Sequence, residues 1–215
     1  MAVAAAVTIL FRNVAFTIYT VPETGIKPWL VEGDRVLVNR WSYGLRTGGE
    51  KFFPYSRWCR KPVGKGELVA FNYPLDTINP LASRAVHAAF CAAGPGDTVI
   101  VDRHPIVTPS RCRSVEVTPW NIKLLCNTFR IHEHRNADIR DGRLYIDGRE
   151  TRFVNFSRNY YWMSVMPGDD FPDSRFYGFV PEDHIIGRVV MIVYSKGSSQ
   201  SFFGSFRNDR WLKPL

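Results

Sequence analysis

Cysteine is scarce in this chain of 215 residues. The four, Cys59, Cys91, Cys112 and Cys126, form no CxxC pair and show no zinc-like spacing with histidine. That leaves no metal site and no cofactor to expect. It leaves open two disulfides in an oxidising compartment, with three pairings, or buried free thiols. An uninterrupted apolar run of about 20 residues, the length of a spanning helix, is also missing. Residues 2–11 are almost wholly apolar, but Arg12-Asn13 break the run before Val14–Val21 resume it. No positively charged stretch precedes the run, which argues against a cleaved signal peptide. The alternatives are a buried helix or strand of the body and, preferred here, a short or truncated membrane anchor over residues 1–20 with Arg12 near the interface. Clustered basic residues are missing too. The formal charge is +8, yet the cations are scattered, with no recognition helix or aromatic–basic repeat. Nucleic acid is therefore not an expected partner; anionic membrane lipid explains the charge more simply. No internal repeat or low-complexity segment is present.

What is present is β-type patterning. Fourteen Pro and 16 Gly punctuate the chain, favouring a mainly β architecture over a helix bundle. A Pro-bounded turn, Pro22 to Pro28, leads into Gly33-Asp34 and the alternating run Arg35–Arg40. Trp41–Lys65 reads as a loop or hairpin. Strands are predicted over 67–71, 85–93 and 98–102, the last two joined by the turn Gly94-Pro95-Gly96-Asp97. Residues 103–137 read as an insertion, and the rest of 21–215 as one domain. Asp141-Gly142 and Asp147-Gly148 bracket a short strand, a hairpin signal. Ile185–Tyr194 is an apolar closing strand.

Four blocks, in order, carry a family resemblance. They are V-P-x-x-x-x-x-P at 21–28, GDRVLVNRWSYGLR at 33–46, PGDTV at 95–99 and DSRFYGFVPEDHIIGRV at 173–189. With DGRLYIDGR at 141–149 and FRNDRWLKPL at 206–215, they make the chain resemble bacterial type I signal peptidases, the S26 serine peptidases. The resemblance implies an antiparallel β fold with an extended peptide groove, at the bacterial cytoplasmic membrane with the domain on the extracytoplasmic, periplasmic side. Exported preproteins are the implied partners. It also implies a Ser-Lys dyad, in which a lysine kept neutral by burial takes the serine proton for acyl transfer.

At each chemical position, however, the family's residue is replaced. The family's turn reads Pro-Ser-x-Ser-Met-x-Pro; here it is Pro22-Glu23-Thr24-Gly25-Ile26-Lys27-Pro28. Gly25 holds the nucleophile slot. Glu23 replaces the serine that donates to the oxyanion, and losing one such donor costs about 10²–10³ in rate. The lysine lies eight residues before the aspartate of Pro-Gly-Asp, which is Ala89 here, followed by Phe90 in place of arginine. No serine precedes Ser42 and no lysine lies between Lys65 and Lys123, so no small shift restores the dyad.

Two readings follow. One is a catalytically degenerate member that binds exported proteins or an active paralogue, with Ile26, Pro28 and Ala88 lining the groove. The alternative is an active peptidase with a non-standard pair, Thr24 as hydroxyl and His87 as base; a histidine replaces the lysine in related endoplasmic-reticulum enzymes. Gly33, Asp34, Gly96 and Asp97 read as turn chemistry. Asp173, Ser174 and Arg175 read as scaffold. In the family that aspartate pairs with the arginine that Phe90 replaces, which leaves Asp173 to pair with Arg175 or to face water.

Overall fold

The computed structural model describes residues 15–20, 26–47, 55–165, 172–197 and 206–215. Its centre is an antiparallel sheet with strand order Phe16–Thr20, Asp34–Asn39, Ile185–Ser195, Leu68–Asn72, Val86–Ala93, Tyr160–Ser164 and Val180–Pro181. Lys213–Pro214 adds to the long Ile185–Ser195 strand. The mainly β, antiparallel expectation holds. Alternation explains the strands: in Asp34–Asn39 residues 34, 36 and 38 are buried while 35 is exposed. Leu68–Asn72 is buried at every position, as befits a strand with neighbours on both sides.

Phe16–Thr20, inside the segment expected to be an anchor, pairs along its length with Asp34–Asn39. Residues 1–14 lie outside the described residues. No helix among the described residues is long and apolar enough to cross a membrane. All four cysteines are free thiols, Cys91 and Cys126 buried, Cys59 and Cys112 exposed.

A second apolar cluster sits beside the main sheet, within and after the stretch read as an insertion. The Ile122–Ile131 helix buries Ile122, Leu125, Cys126 and Phe129, spaced i, i+3, i+4, i+7 on one face. That face packs with Leu144 and Ile146 of the hairpin, and with Tyr160, Trp162 and Phe179. The hairpin has Ala137–Arg140 paired with Arg143–Ile146, and positive φ at Asp141, Gly142, Asp147 and Gly148 marks its two turns.

Candidate functional site

The turn after residue 25 is held from the far end of the chain. Leu30 N–H donates to the Ile26 carbonyl at 2.8 Å, closing the turn. The Asp34 carboxylate, fully buried, accepts the Val31 N–H at 2.9 Å. Arg210, also buried, donates to both Asp34 oxygens at 3.0 and 2.7 Å and to the Trp29 carbonyl at 2.8 Å. A bidentate guanidinium on a buried carboxylate fixes orientation as well as charge. Gly33 has φ +88°, and a Cβ there would sit inside the contact radius of the Lys196 carbonyl oxygen. Only glycine fits this turn.

The turn faces the Val86–Ala93 strand. Trp29 stacks edge-on against Phe90, with centroids 6.0 Å apart and planes at 79°. Ile26, Ala88 and Ala89 belong to one buried cluster and expose 1%, 7% and 1% of their surface. Pro28 and Lys27 are exposed. On the side away from Leu68–Asn72, the ladder between Val86–Ala93 and Tyr160–Ser164 runs only from Ala93 to Phe90. Cys91 bonds through N–H and C=O to Glu67 and Gly66, and the Ala85 carbonyl accepts from Tyr73. Alternation then turns the Ala88 main-chain groups to the opposite side. Among the described residues no strand pairs with Ala88 there.

His87 lies on the same strand. Its ring stacks on Tyr73 with centroids 4.9 Å apart, and burial lowers its pKa. Glu23, Thr24 and Gly25 lie outside the described residues. Asp173 is 2% exposed. It caps the short Ser174–Tyr177 helix through the Arg175 N–H, accepts the Arg175 Nε at 3.0 Å, and accepts the Val165 N–H at 3.4 Å. Ser174 Oγ accepts the Met163 N–H at 2.8 Å. Asp97 accepts the Gly94 N–H at 3.0 Å and Gly96 has φ +85°, which together build the Pro95-Gly96-Asp97 turn. No group of three or more His, Cys, Asp or Glu side chains fit for a metal occurs among the described residues.

The signal peptidase family, peptidase S26, matches residues 1–114, over half of the sequence and including both the turn and the Val86–Ala93 strand. The chain belongs to this family. Signal peptidase I of Buchnera aphidicola subsp. Baizongia pistaciae is 23% identical over 224 residues, covering 81% of this chain and 68% of that protein. Signal peptidase I of Aquifex aeolicus is 24% identical over 208 residues, with 82% and 75% covered. That of Haemophilus influenzae is 23% identical over 257 residues, with 98% and 72% covered. In this S26 member Ala89 is buried, Phe90 packs on the turn, and Asp173 closes on its own Arg175.

One cluster is not singled out in the sequence. Asp183 and His184, from the block at 173–189, meet His132, Arg84 and Arg158. Asp183 Oδ2 accepts Arg158 Nη1 at 2.7 Å and Asp183 Oδ1 lies 3.0 Å from His184 Nδ1. His184 Nε2 lies 2.9 Å from Arg84 Nη1. Arginine can only donate, so Nε2 accepts and Nδ1 carries the proton towards Asp183. The neighbouring Glu182 carboxylate, 5% exposed, bridges Arg60 and Arg111 at 3.2 and 2.7 Å. No sequence pattern announces these contacts, several of which join residues 71 to 122 positions apart.

Proposed function

We propose that this signal peptidase family protein binds exported preproteins at the bacterial cytoplasmic membrane without cleaving them. The observation that carries this reading is the Val86–Ala93 strand itself. It carries a buried alanine at position 89, where the family's resemblance calls for a base, beside an Ala88 main chain that no strand among the described residues pairs on its outer side. An extended peptide can add there through main-chain hydrogen bonds, which need no nucleophile.

Three substitutions support the loss of chemistry. Gly25 has no attacking oxygen, Glu23 would oppose a developing oxyanion instead of donating to it, and Ala89 cannot take a proton. A neutral base of perturbed pKa is the heart of dyad chemistry, and Phe90 on Trp29 fills the adjacent position with packing. The His87 alternative requires Thr24 as its hydroxyl partner, and the His87 ring is stacked into an aromatic group with Tyr73 and Phe71. The apolar residues 2–11 and the charge of +8 support placement at an anionic membrane surface, with the domain on the extracytoplasmic side. An active paralogue is a further partner in this reading.

The test uses a fluorescent signal-peptide segment and the full chain. Binding is expected, and N-methylation of alternate peptide amides is expected to abolish it, because a methylated amide cannot donate to a strand. A segment that binds equally well when methylated, or that is cut, overturns the reading.

A further inference from the structure

A cavity of about 410 Å³ opens between the Thr77–Arg84 segment, the end of the Ile122–Ile131 helix and the Arg158/His184 cluster. It shares no lining residue with the turn or the Val86–Ala93 strand. Its charge is unbalanced. Arg84 donates to the Asn79 carbonyl and to His184 Nε2, and has no carboxylate partner among the described residues. Arg46, buried behind it, donates to Asn72 Oδ1 and the Asp183 carbonyl, again to neutral acceptors. Arg158 takes Asp183, and Glu133 lies 3.9 Å from its Nε while accepting the Tyr160 hydroxyl at 2.6 Å. Three guanidinium groups thus share two carboxylates.

His132 lines this cavity and is 6% exposed. Its ring nitrogens make no hydrogen bond to the described residues and are not among the buried unpartnered atoms, so they reach the cavity. Its ring stands edge-on to His184, with centroids 5.6 Å apart. Burial, His184 and the nearby Arg158 and Arg84 bring its pKa down to about 3, with Asp183 opposing them. A neutral, unbonded imidazole beside surplus guanidinium is a donor without an acceptor. The volume suits a small polar ligand, and a guanidinium fork matches oxyanion geometry.

We propose that this cavity binds a small oxyanion of the phosphate class, inorganic or as a phosphate monoester, held by Arg84, Arg158 and a donating ring nitrogen of His132. The exposed His134 stands at its mouth. Asp183 orients rather than repels, because Arg158 and His184 already hold its two oxygens.

Calorimetric titration of the full chain with inorganic phosphate and with glycerol phosphate, against chloride at equal ionic strength, tests this. Saturable binding of phosphate or of the monoester over chloride is expected; the monoester binding tighter assigns the site to a phosphorylated small molecule, and equal affinity to free phosphate. Arg84→Gln is expected to weaken binding about tenfold or more, the loss of one charge-assisted hydrogen bond. In the unmutated chain, phosphate is expected to shift the His132 imidazole resonances by NMR, a readout independent of how the variant folds. Heat no greater than with chloride, unchanged affinity in Arg84→Gln, or unmoved His132 resonances would overturn the proposal.

Discussion

The Trp29 and Phe90 rings meet edge-to-face, 6.0 Å apart, and so join the family's turn to the strand that would carry its base. In the proposed reading, position 90 is where the family places an arginine that reaches the aspartate equivalent to Asp173. Here aromatic packing takes that place, and Asp173 turns to Arg175 at 3.0 Å.

That contact has a measurable strength. Edge-to-face aromatic pairs contribute about 0.5–1.5 kcal/mol beyond their area. A double-mutant cycle of Trp29→Ala and Phe90→Ala, read by denaturant unfolding, is expected to return a coupling in that range. A coupling of zero would mean that the two rings merely neighbour each other.

The Asp34–Arg210 pair should be the most sensitive charge in the fold. Arg210→Ala leaves Asp34 buried without its partner, a loss of about 3–5 kcal/mol, and frees the Trp29 carbonyl. Asp34→Asn combined with Arg210→Met is expected to recover part of that loss. Urea titrations of the three variants decide this; a loss below about 1 kcal/mol for Arg210→Ala would place the pair with ordinary surface ion pairs.

Gly33→Ala is expected to destabilise by at least about 2 kcal/mol, since it combines a left-handed backbone with a clash against the Lys196 carbonyl. Thermal unfolding reads it. A stabilised variant, the usual result where alanine fits, would contradict the geometry of this turn.

Much of the fold is legible in the sequence because its causes are local. Alternation writes Asp34–Asn39, a nearly continuous apolar run writes Ile185–Ser195, and Asp-Gly pairs write the turns at 141–142 and 147–148. The Ile122–Ile131 helix is also written, as Ile122, Leu125, Cys126 and Phe129 at helical spacing, within a stretch, 103–137, that holds two cysteines and three prolines and reads as an insertion. The fate of Asp173 could not be chosen from sequence, since Arg175 and water compete for the same oxygens until Phe90 is placed. The Arg84–His184–Asp183–Arg158 cluster was illegible for a different reason. Asp183 and His184 are adjacent, but Arg84, His132 and Arg158 are single residues brought to them by the fold, with no spacing to reveal the meeting.

Acid should act through that cluster. His132 has its folded pKa lowered to about 3, against about 6.5 unfolded. Between these values the unfolded chain binds more protons, so the stabilising difference is complete above about pH 6.5 and shrinks as pH falls. Burial lowers His184 in the same direction, against the pull of Asp183. Burial alone would raise the Asp183 carboxyl, but the His184 bond and the neighbouring cations outweigh it and hold it well below the usual range, which adds further acid sensitivity. Unfolding free energies at pH 7.5 and 5.0 are expected to fall, and His132→Asn to flatten the slope by up to about 1.4 kcal/mol per pH unit. An unchanged slope would mean that His132 does not carry it.

The central claim is that the S26 scaffold here keeps its binding strand and has lost its chemistry. Incubation of the full chain in vesicles with a signal-peptide-bearing preprotein, followed by mass spectrometry, tests it most directly. The account predicts an intact preprotein that co-purifies with the chain. Cleavage at the signal-peptide boundary, blocked by acylating inhibitors of the family, would contradict it.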